Sequence, residues 1–160
     1  MKSILVTGGS GFIGSHTCLS LLQQNFNVLV IDSFVNSSPK SLDRVLEINK
    51  LYKKANNQIT IFRGDLSDKN FLEKVFFQIK KEQIEIEGVI HFAGLKAVAE
   101  SVKNPLLYWK TNLIGTLNLL EMLENSNCRN FVFSSSATIY AEQGNSVLKE
   151  SSRIMPSNPY

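Results

Sequence analysis

Val6-Thr7-Gly8-Gly9-Ser10-Gly11-Phe12-Ile13-Gly14-Ser15-His16 joins an apolar, strand-like run, Ile4 to Val6, to a helix-like run from Phe12 to Leu22. A glycine-rich turn between a strand and a helix is a phosphate cradle. Lacking side chains, it lets backbone N–H groups approach a pyrophosphate, and the helix N-terminus adds partial positive charge. The glycines satisfy Gly-x-Gly-x-x-Gly as Gly9, Gly11 and Gly14, and Gly-x-x-Gly-x-x-Gly as Gly8, Gly11 and Gly14. The pattern is weak alone and gains force from its neighbours in the chain. A second strand, Val28 to Ile31, ends in Asp32, 18 residues after Gly14. That is where a dinucleotide-binding fold places the carboxylate that holds ribose hydroxyls.

Beyond the glycine turn, strand-like and helix-like segments alternate along the chain. Strands are expected at Ser3–Thr7, Val28–Asp32, Ile59–Arg63, Gly88–Phe92 and Asn130–Ser134. Helices are expected at Phe12–Gln24, near Ser41–Lys54, and after Asp68, whose carboxylate suits an N-cap ahead of Phe71, Leu72, Val75, Phe76 and Ile79. A loop from Ala93 to Asn104 leads to a long helix opened by Pro105, a residue suited to a first helical turn. Strands joined by helical crossovers require a parallel sheet covered on both faces. Right-handed crossovers and a cradle after the first strand give an α/β, doubly wound (Rossmann) sheet of order 3-2-1-4-5.

At 160 residues the chain is one ordinary domain long. Its 43% hydrophobic content and mean hydropathy of −0.04 fit a soluble globular domain. The net charge of +3 comes without a basic run interleaved with aromatics, which argues against a nucleic-acid partner. Lys50, Lys53 and Lys54 read as a solvated helix end. Cys18 and Cys128 have neither CxxC nor His-rich surroundings, so no metal site is expected. The apolar run before the first glycine is too short for a signal peptide, and no window approaches the ~18 apolar residues of a membrane span. A cytoplasmic location is the expectation.

Ligands of such sheets lie at the carboxyl ends of the strands. Those ends carry the glycine turn, then Asp32, then Asp65-Leu66, then Phe92-Ala93-Gly94-Leu95-Lys96, then Ser134-Ser135-Ser136. Asp32 favours NAD over NADP, because its charge repels a 2′-phosphate and no Arg follows it in the loop. Asp32 also suits a turn cap, Gly64-Asp65 a turn before a helix, and Lys96 a solvated loop. His91 lies in an apolar strand and reads as a core histidine; His16 falls just inside the first helix. Asn112 lies within a helix, where Asn has low propensity, and so suits a specific hydrogen-bonding task. Tyr108 and Trp109 read as packing residues.

Four blocks carry a resemblance. Gly8 to Thr17, His91 to Val98, Ser134-Ser135-Ser136-Ala137-Thr138-Ile139-Tyr140 and Asn158-Pro159-Tyr160 resemble the UDP-glucose 4-epimerases of the extended short-chain dehydrogenase/reductase family, and the likeness runs the length of the chain. Members of that family are about twice as long. The resemblance therefore implies that residues 1–160 are an NAD-binding Rossmann domain, lacking a C-terminal substrate domain and a Lys at position 164. It implies NAD contacts at Gly8, Gly11, Phe12, Ile13 and Gly14, at Asp32, Ser33, Phe34, Val35, Asn36 and Ser37, and at Asp65 and Leu66. It adds Phe92, Ala93, Gly94, Leu95, Lys96 and Asn112; the family carries Asn at the position of Thr111, at that of Asn112, or at both. Ser136 and Tyr160, 24 residues apart, match the catalytic Ser and Tyr.

The implied reaction is NAD-dependent C4 epimerisation of a UDP-sugar through a 4-keto intermediate, as in galactose metabolism, by a homodimer. A free tyrosine is a poor base near neutrality, and positive charge from a neighbouring Lys and the nicotinamide favours its phenolate. Dehydratases on the same fold place Asp and Glu directly after the catalytic Ser; Ala137 and Thr138 stand there and carry no proton for elimination. A 4-epimerase of another UDP-sugar, and a non-catalytic NAD-binding module, remain the alternatives.

Overall fold

The computed structural model describes residues 2–52, 58–141 and 147–160. Its strands are β1 (Ser3–Thr7), β2 (Asn27–Asp32), β3 (Ile59–Arg63), β4 (Ile86–His91) and β5 (Phe131–Phe133). All pair in parallel in the order β3-β2-β1-β4-β5. The helices are α1 (Phe12–Gln23), α2 (Lys40–Tyr52), α3 (Lys69–Lys81), α4 (Val98–Lys103), α5 (Pro105–Tyr108) and α6 (Gly115–Glu124). Lys50 falls in the last turn of α2, and Lys53 and Lys54 lie outside the described residues.

Side chains on a strand point alternately to opposite faces, and the core divides accordingly. Leu5, Leu29 and Ile31 join Leu72, Val75 and Ile79 of α3 and Leu119 and Leu123 of α6 on one face. Val6, Val28 and Val30 join Cys18 and Leu22 of α1 and Leu42 and Val45 of α2 on the other. Each such side chain contributes about 1.5–3 kcal/mol on burial, so the central strands are held from both sides. The chain moves outward from β1 to β3 and then returns past β1 to β4. The carboxyl ends of β1 and β4 therefore diverge into helices on opposite faces, and a crevice opens between them.

Two segments depart from the sequence reading. Residues 98–103, expected as loop, form α4. Its N-cap, Ala97, has no capping side chain; the Ala97 N–H instead donates to the Tyr108 hydroxyl at 3.1 Å, so a tertiary contact supplies what the local sequence lacks. The long helix after Pro105 is also not uniform. Trp109–Ile114 widens into a π-helical turn between α5 and α6. Asp68 caps α3 as expected, accepting from the Phe71 N–H at 3.0 Å.

Candidate functional site

The glycine turn is shaped by two steric demands. Gly8 adopts φ +67°, and a Cβ there would lie 2.7 Å from the Ala93 nitrogen, so the turn packs backbone against backbone on the end of β4. A Cβ on Gly14 would fall 2.2 Å from the Gly8 carbonyl oxygen, so α1 can approach the turn only without a side chain there. Gly11 is different: its nearest neighbour to a Cβ is the Gly8 oxygen at 3.3 Å. The fold presses far less on Gly11 than on Gly8 or Gly14. Gly11 is also the N-cap of α1, which has no side-chain cap and no acidic residue in its first turn. The helix thus presents its N-terminal N–H groups and partial positive charge at an open surface.

Asp32, at the end of β2, is 7% exposed. One carboxylate oxygen accepts from the Ser10 N–H at 3.0 Å. The other accepts from the Phe34 N–H and the Ser37 hydroxyl, both at 2.9 Å. Ser10 Oγ donates to Ser37 Oγ at 2.8 Å, and Ser41 Oγ donates to the Ser10 carbonyl at 2.7 Å. Asp32 thereby ties the glycine turn to the loop that follows β2. Phe34 adopts φ +58°, a left-handed conformation costly for a side chain with Cβ, and the bond to Asp32 helps hold it there. The Arg63 guanidinium lies 5.6 Å from the centre of the Phe34 ring.

A groove of about 900 Å³ runs along the carboxyl ends of the strands. Of the residues singled out from sequence, Gly8, Gly11 and Phe12 line it, as do Asp32, Ser33, Val35, Asn36 and Ser37, Asp65 and Leu66, and the run Phe92 to Lys96. Ile13, Gly14, Phe34, Asn112, Ser136 and Tyr160 are not among its lining residues. Ile31, Gly64, Ala97, Glu100, Leu107, Tyr108 and Thr111 line it in addition. Several of these come from α4, α5 and the π-helical turn, the part of the chain whose shape the sequence reading missed.

The loop after β4 is pinned from behind. Asn112 donates to the Leu95 carbonyl and accepts from the Leu95 N–H, each at 2.8 Å. Its amide therefore holds the loop that lines the groove. Tyr108 is buried; its hydroxyl donates to Glu100 at 2.8 Å while accepting from Ala97, and burial raises its pKa above the usual value. Trp109 is exposed. His91 is 1% exposed, bonded through Nδ1 to Thr7 Oγ1 at 2.6 Å and through Nε2 to Thr116 Oγ1 at 2.9 Å. Burial lowers its pKa to about 4, so it sits in the core as a neutral imidazole. His16 bonds the Phe12 carbonyl within the first turns of α1.

Ser136 lies beyond the end of β5 and caps a 3-10 turn, Ala137–Ile139, accepting from the Thr138 N–H at 3.2 Å and sharing a 2.8 Å bond with Thr138 Oγ1. The chain then folds back. Ala141 N–H donates to the Arg153 carbonyl and Met155 N–H to the Ile139 carbonyl, both at 2.9 Å, so the segment leading to Tyr160 returns to within three residues of Ser136. Cys18 and Cys128 are both free and buried, with the Cys18 thiol pushed up to about 12 by burial. Among the described residues no group of three or more His, Cys, Asp or Glu is placed to hold a metal ion, and no helix is long and apolar enough to cross a membrane.

This crevice at the switch point of a doubly wound sheet, floored by an uncapped glycine turn, defines a dinucleotide-binding Rossmann architecture. The chain belongs to the family described as GDP-mannose 4,6 dehydratase, whose model matches residues 5–160. Within that family it is similar to UDP-glucose 4-epimerases. It is 47% identical over 159 residues to UDP-glucose 4-epimerase 2 of Arabidopsis thaliana, covering 99% of this chain and 43% of that protein. It is 46% identical over 159 residues to the bifunctional UDP-glucose 4-epimerase and UDP-xylose 4-epimerase 1 of Pisum sativum, with the same coverage. The solved structure of UDP-glucose 4-epimerase from Bifidobacterium longum in complex with NAD+ and UDP superposes with a TM-score of 0.85 at 40% identity, covering 99% of this chain and 44% of that one. The chain thus spans less than half the length of these relatives.

Proposed function

We propose that this chain is the cofactor-holding part of a nucleotide-sugar 4-epimerase, binding NAD across the carboxyl ends of β1 to β4 and acting on UDP-glucose and UDP-galactose. The observation that carries the reading is the groove, with Gly11 at its floor, the glycine of the turn on which the fold presses least. The Bifidobacterium relative, described as holding NAD+ and UDP, supports the choice of ligand. Bound NAD would supply the site that accepts a hydride from C4 of the sugar and returns it.

The chain's own residues have these parts. The N-terminus of α1 and the glycine turn take the pyrophosphate. Asp32, with Ser33 to Ser37, takes the adenosine ribose and disfavours a 2′-phosphate; Asp65 and Leu66 flank the adenine. The run Phe92 to Lys96 lies under the nicotinamide half. Ser136 Oγ accepts the Thr138 N–H and shares a bond with Thr138 Oγ1; with Thr138 as the donor of that bond, the Ser136 proton goes to a sugar oxygen. Tyr160 takes the proton from the C4 hydroxyl. The contacts that choose the sugar, a Lys partner for Tyr160, assembly as a homodimer and a cytoplasmic setting belong to the same proposal. So does the view of residues 1–160 as an NAD domain whose substrate domain occupies the relatives' remaining length.

The name of the matching family raises elimination as an alternative reaction. The slots after Ser136 favour epimerisation over elimination, since Ala137 has no functional group and Thr138 has only a hydroxyl bonded to Ser136. The pea relative, named for UDP-xylose as well as UDP-glucose, favours a UDP-pentose as the second substrate to try.

Calorimetric titration of the purified chain tests the cofactor. NAD binding, with NADP much weaker, is the expected result; no binding of either dinucleotide overturns the reading. In a protein that interconverts UDP-galactose and UDP-glucose, Tyr160→Phe is expected to remove turnover and keep NAD bound. Near-normal turnover would overturn the role given to Tyr160.

A further inference from the structure

The buried imidazole of His91 and the Asn112 clamp are parts of one hydrogen-bonded network, and its direction can be worked out. Thr116 Oγ1 donates to the Asn112 carbonyl at 2.6 Å. A carbonyl can only accept, so the single Thr116 proton is committed there. The Thr116 oxygen must then accept from His91, which places the imidazole proton on Nε2. Nδ1 is left bare and accepts the Thr7 hydroxyl proton across 2.6 Å. The Thr7 oxygen in turn accepts the Ala93 N–H at 3.3 Å. The opposite tautomer would set a bare Nε2 against a hydroxyl oxygen with no proton to give.

The donors therefore run from Ala93 through Thr7, His91 and Thr116 to the backbone carbonyl of Asn112, whose side-chain amide separately exchanges two bonds with Leu95. Ala93 and Leu95 lie two residues apart on the loop that lines the groove. Thr7 and His91 are shut off from solvent, and the rings of Phe131 and Phe133 stand 5.8 and 5.5 Å from the imidazole. At the closed Thr7–His91 end a polar network holds its geometry only if each member is satisfied, while Thr116 and Asn112 at the other end are part-buried. The π-helical turn fits this account, because its widened backbone carries both the Asn112 carbonyl that Thr116 uses and the Asn112 amide that grips Leu95.

We propose that His91 is a positioning residue for the groove: as a neutral imidazole protonated at Nε2, it completes the run of hydrogen bonds from Ala93 to the Asn112 carbonyl and so, with the Asn112 clamp on Leu95, fixes the peptide from Ala93 to Leu95 against its ligand. The consequence for NAD rests on the groove being the dinucleotide site; the network itself does not.

The test uses the chain labelled with 15N at histidine, with His16→Gln to assign the two imidazoles. At neutral pH His91 is expected to show a protonated Nε2 and an unprotonated Nδ1. A proton on Nδ1 overturns the proposal. Thr116→Val removes the hydroxyl and keeps the volume. Exchange of the Ala93 and Leu95 amides with solvent should then quicken about tenfold, and NAD binding should weaken by a similar factor. Thr116→Ser should restore both, which loss of packing alone would not predict. Unchanged exchange at Leu95 in a folded Thr116→Val overturns the network, and a failure of that variant to fold leaves the tautomer to decide. Failure of the unmutated chain to bind NAD would sink the reading of the groove, with the tautomer and the amide exchange still deciding the network.

Discussion

Asp32 and Ser10 meet at 3.0 Å, carboxylate to backbone N–H, and through this bond the end of β2 supports the glycine turn that follows β1. The carboxylate so often assigned to a ribose has a structural task before any ligand arrives. With Phe34 and Ser37 it satisfies three donors in a nearly closed site. Asp32→Ala leaves them without a partner, and the expected loss is about 3 kcal/mol in the ligand-free chain, a fall in Tm of roughly 10 °C. Asp32→Asn keeps an acceptor and should lose less. Urea unfolding without NAD measures both; an unchanged Asp32→Ala midpoint would show that the network is idle.

The three glycines of the fingerprint separate into those the fold needs and the one it leaves for a ligand. Gly14→Ala puts a methyl group 2.2 Å from a backbone oxygen and should cost about 3 kcal/mol or more. Gly11→Ala meets nothing nearer than 3.3 Å, so it should keep the Tm within a few degrees while weakening NAD binding at least tenfold. Thermal melting beside calorimetric titration distinguishes the two. Equal losses of stability would remove the argument that Gly11 is glycine for the ligand's sake.

Comparison of the chain with its fold shows which signals are local. The glycine turn, Asp32 at the end of β2 and the Asp68 cap are readable because each is a residue type placed at a fixed offset from an apolar run. α4 was not readable, because its first N–H is satisfied by Tyr108 from the next helix. The π-helical turn joins a local bond, Thr116 Oγ1 to the Asn112 carbonyl, to contacts that Thr116 and Asn112 make with other elements, and those contacts have no signature in the local sequence. Glu100 and Leu107 have no signature as groove residues in the sequence for that reason. The left-handed Phe34 also escaped notice, since phenylalanine gives no hint of that conformation and only its bond to Asp32 accounts for it. The low helix propensity of Asn112 signals a hydrogen-bonding task, but its partner, Leu95, is visible only in three dimensions.

Burial of His91 makes the fold acid-sensitive. In the unfolded chain the imidazole protonates near pH 6.5; in the folded protein it stays neutral until about pH 4. Between those values the unfolded state binds more protons, so protonation favours unfolding. The stability is fully present above pH 6.5 and falls as the pH drops toward 4, by about 3 kcal/mol from this one group. His91→Gln does not titrate there and should lose stability less steeply over the same interval. Following the imidazole signal through an acid titration gives the direct check: a midpoint near 6.5 in the folded protein would remove the effect.

β5 stands at the edge of the sheet, paired among the described residues only with β4, and it leaves Val132 61% and Phe133 55% exposed. An apolar edge strand with free N–H and C=O groups is a template for another chain. Residues 1–160 taken by themselves are therefore expected to self-associate with rising concentration in the micromolar range, as measured by sedimentation velocity. Val132 is the position to charge. Phe131 and Phe133 both stand against the His91 ring, whereas the Val132 side chain points to solvent, so Val132→Lys should cost no more than about 0.5 kcal/mol. It should also shift the chain toward monomer without altering its NAD binding. If Val132→Lys sediments as the unmutated chain does, the association runs through another surface, and the exposed face of α6, with Leu117 and Leu120, is the next to charge.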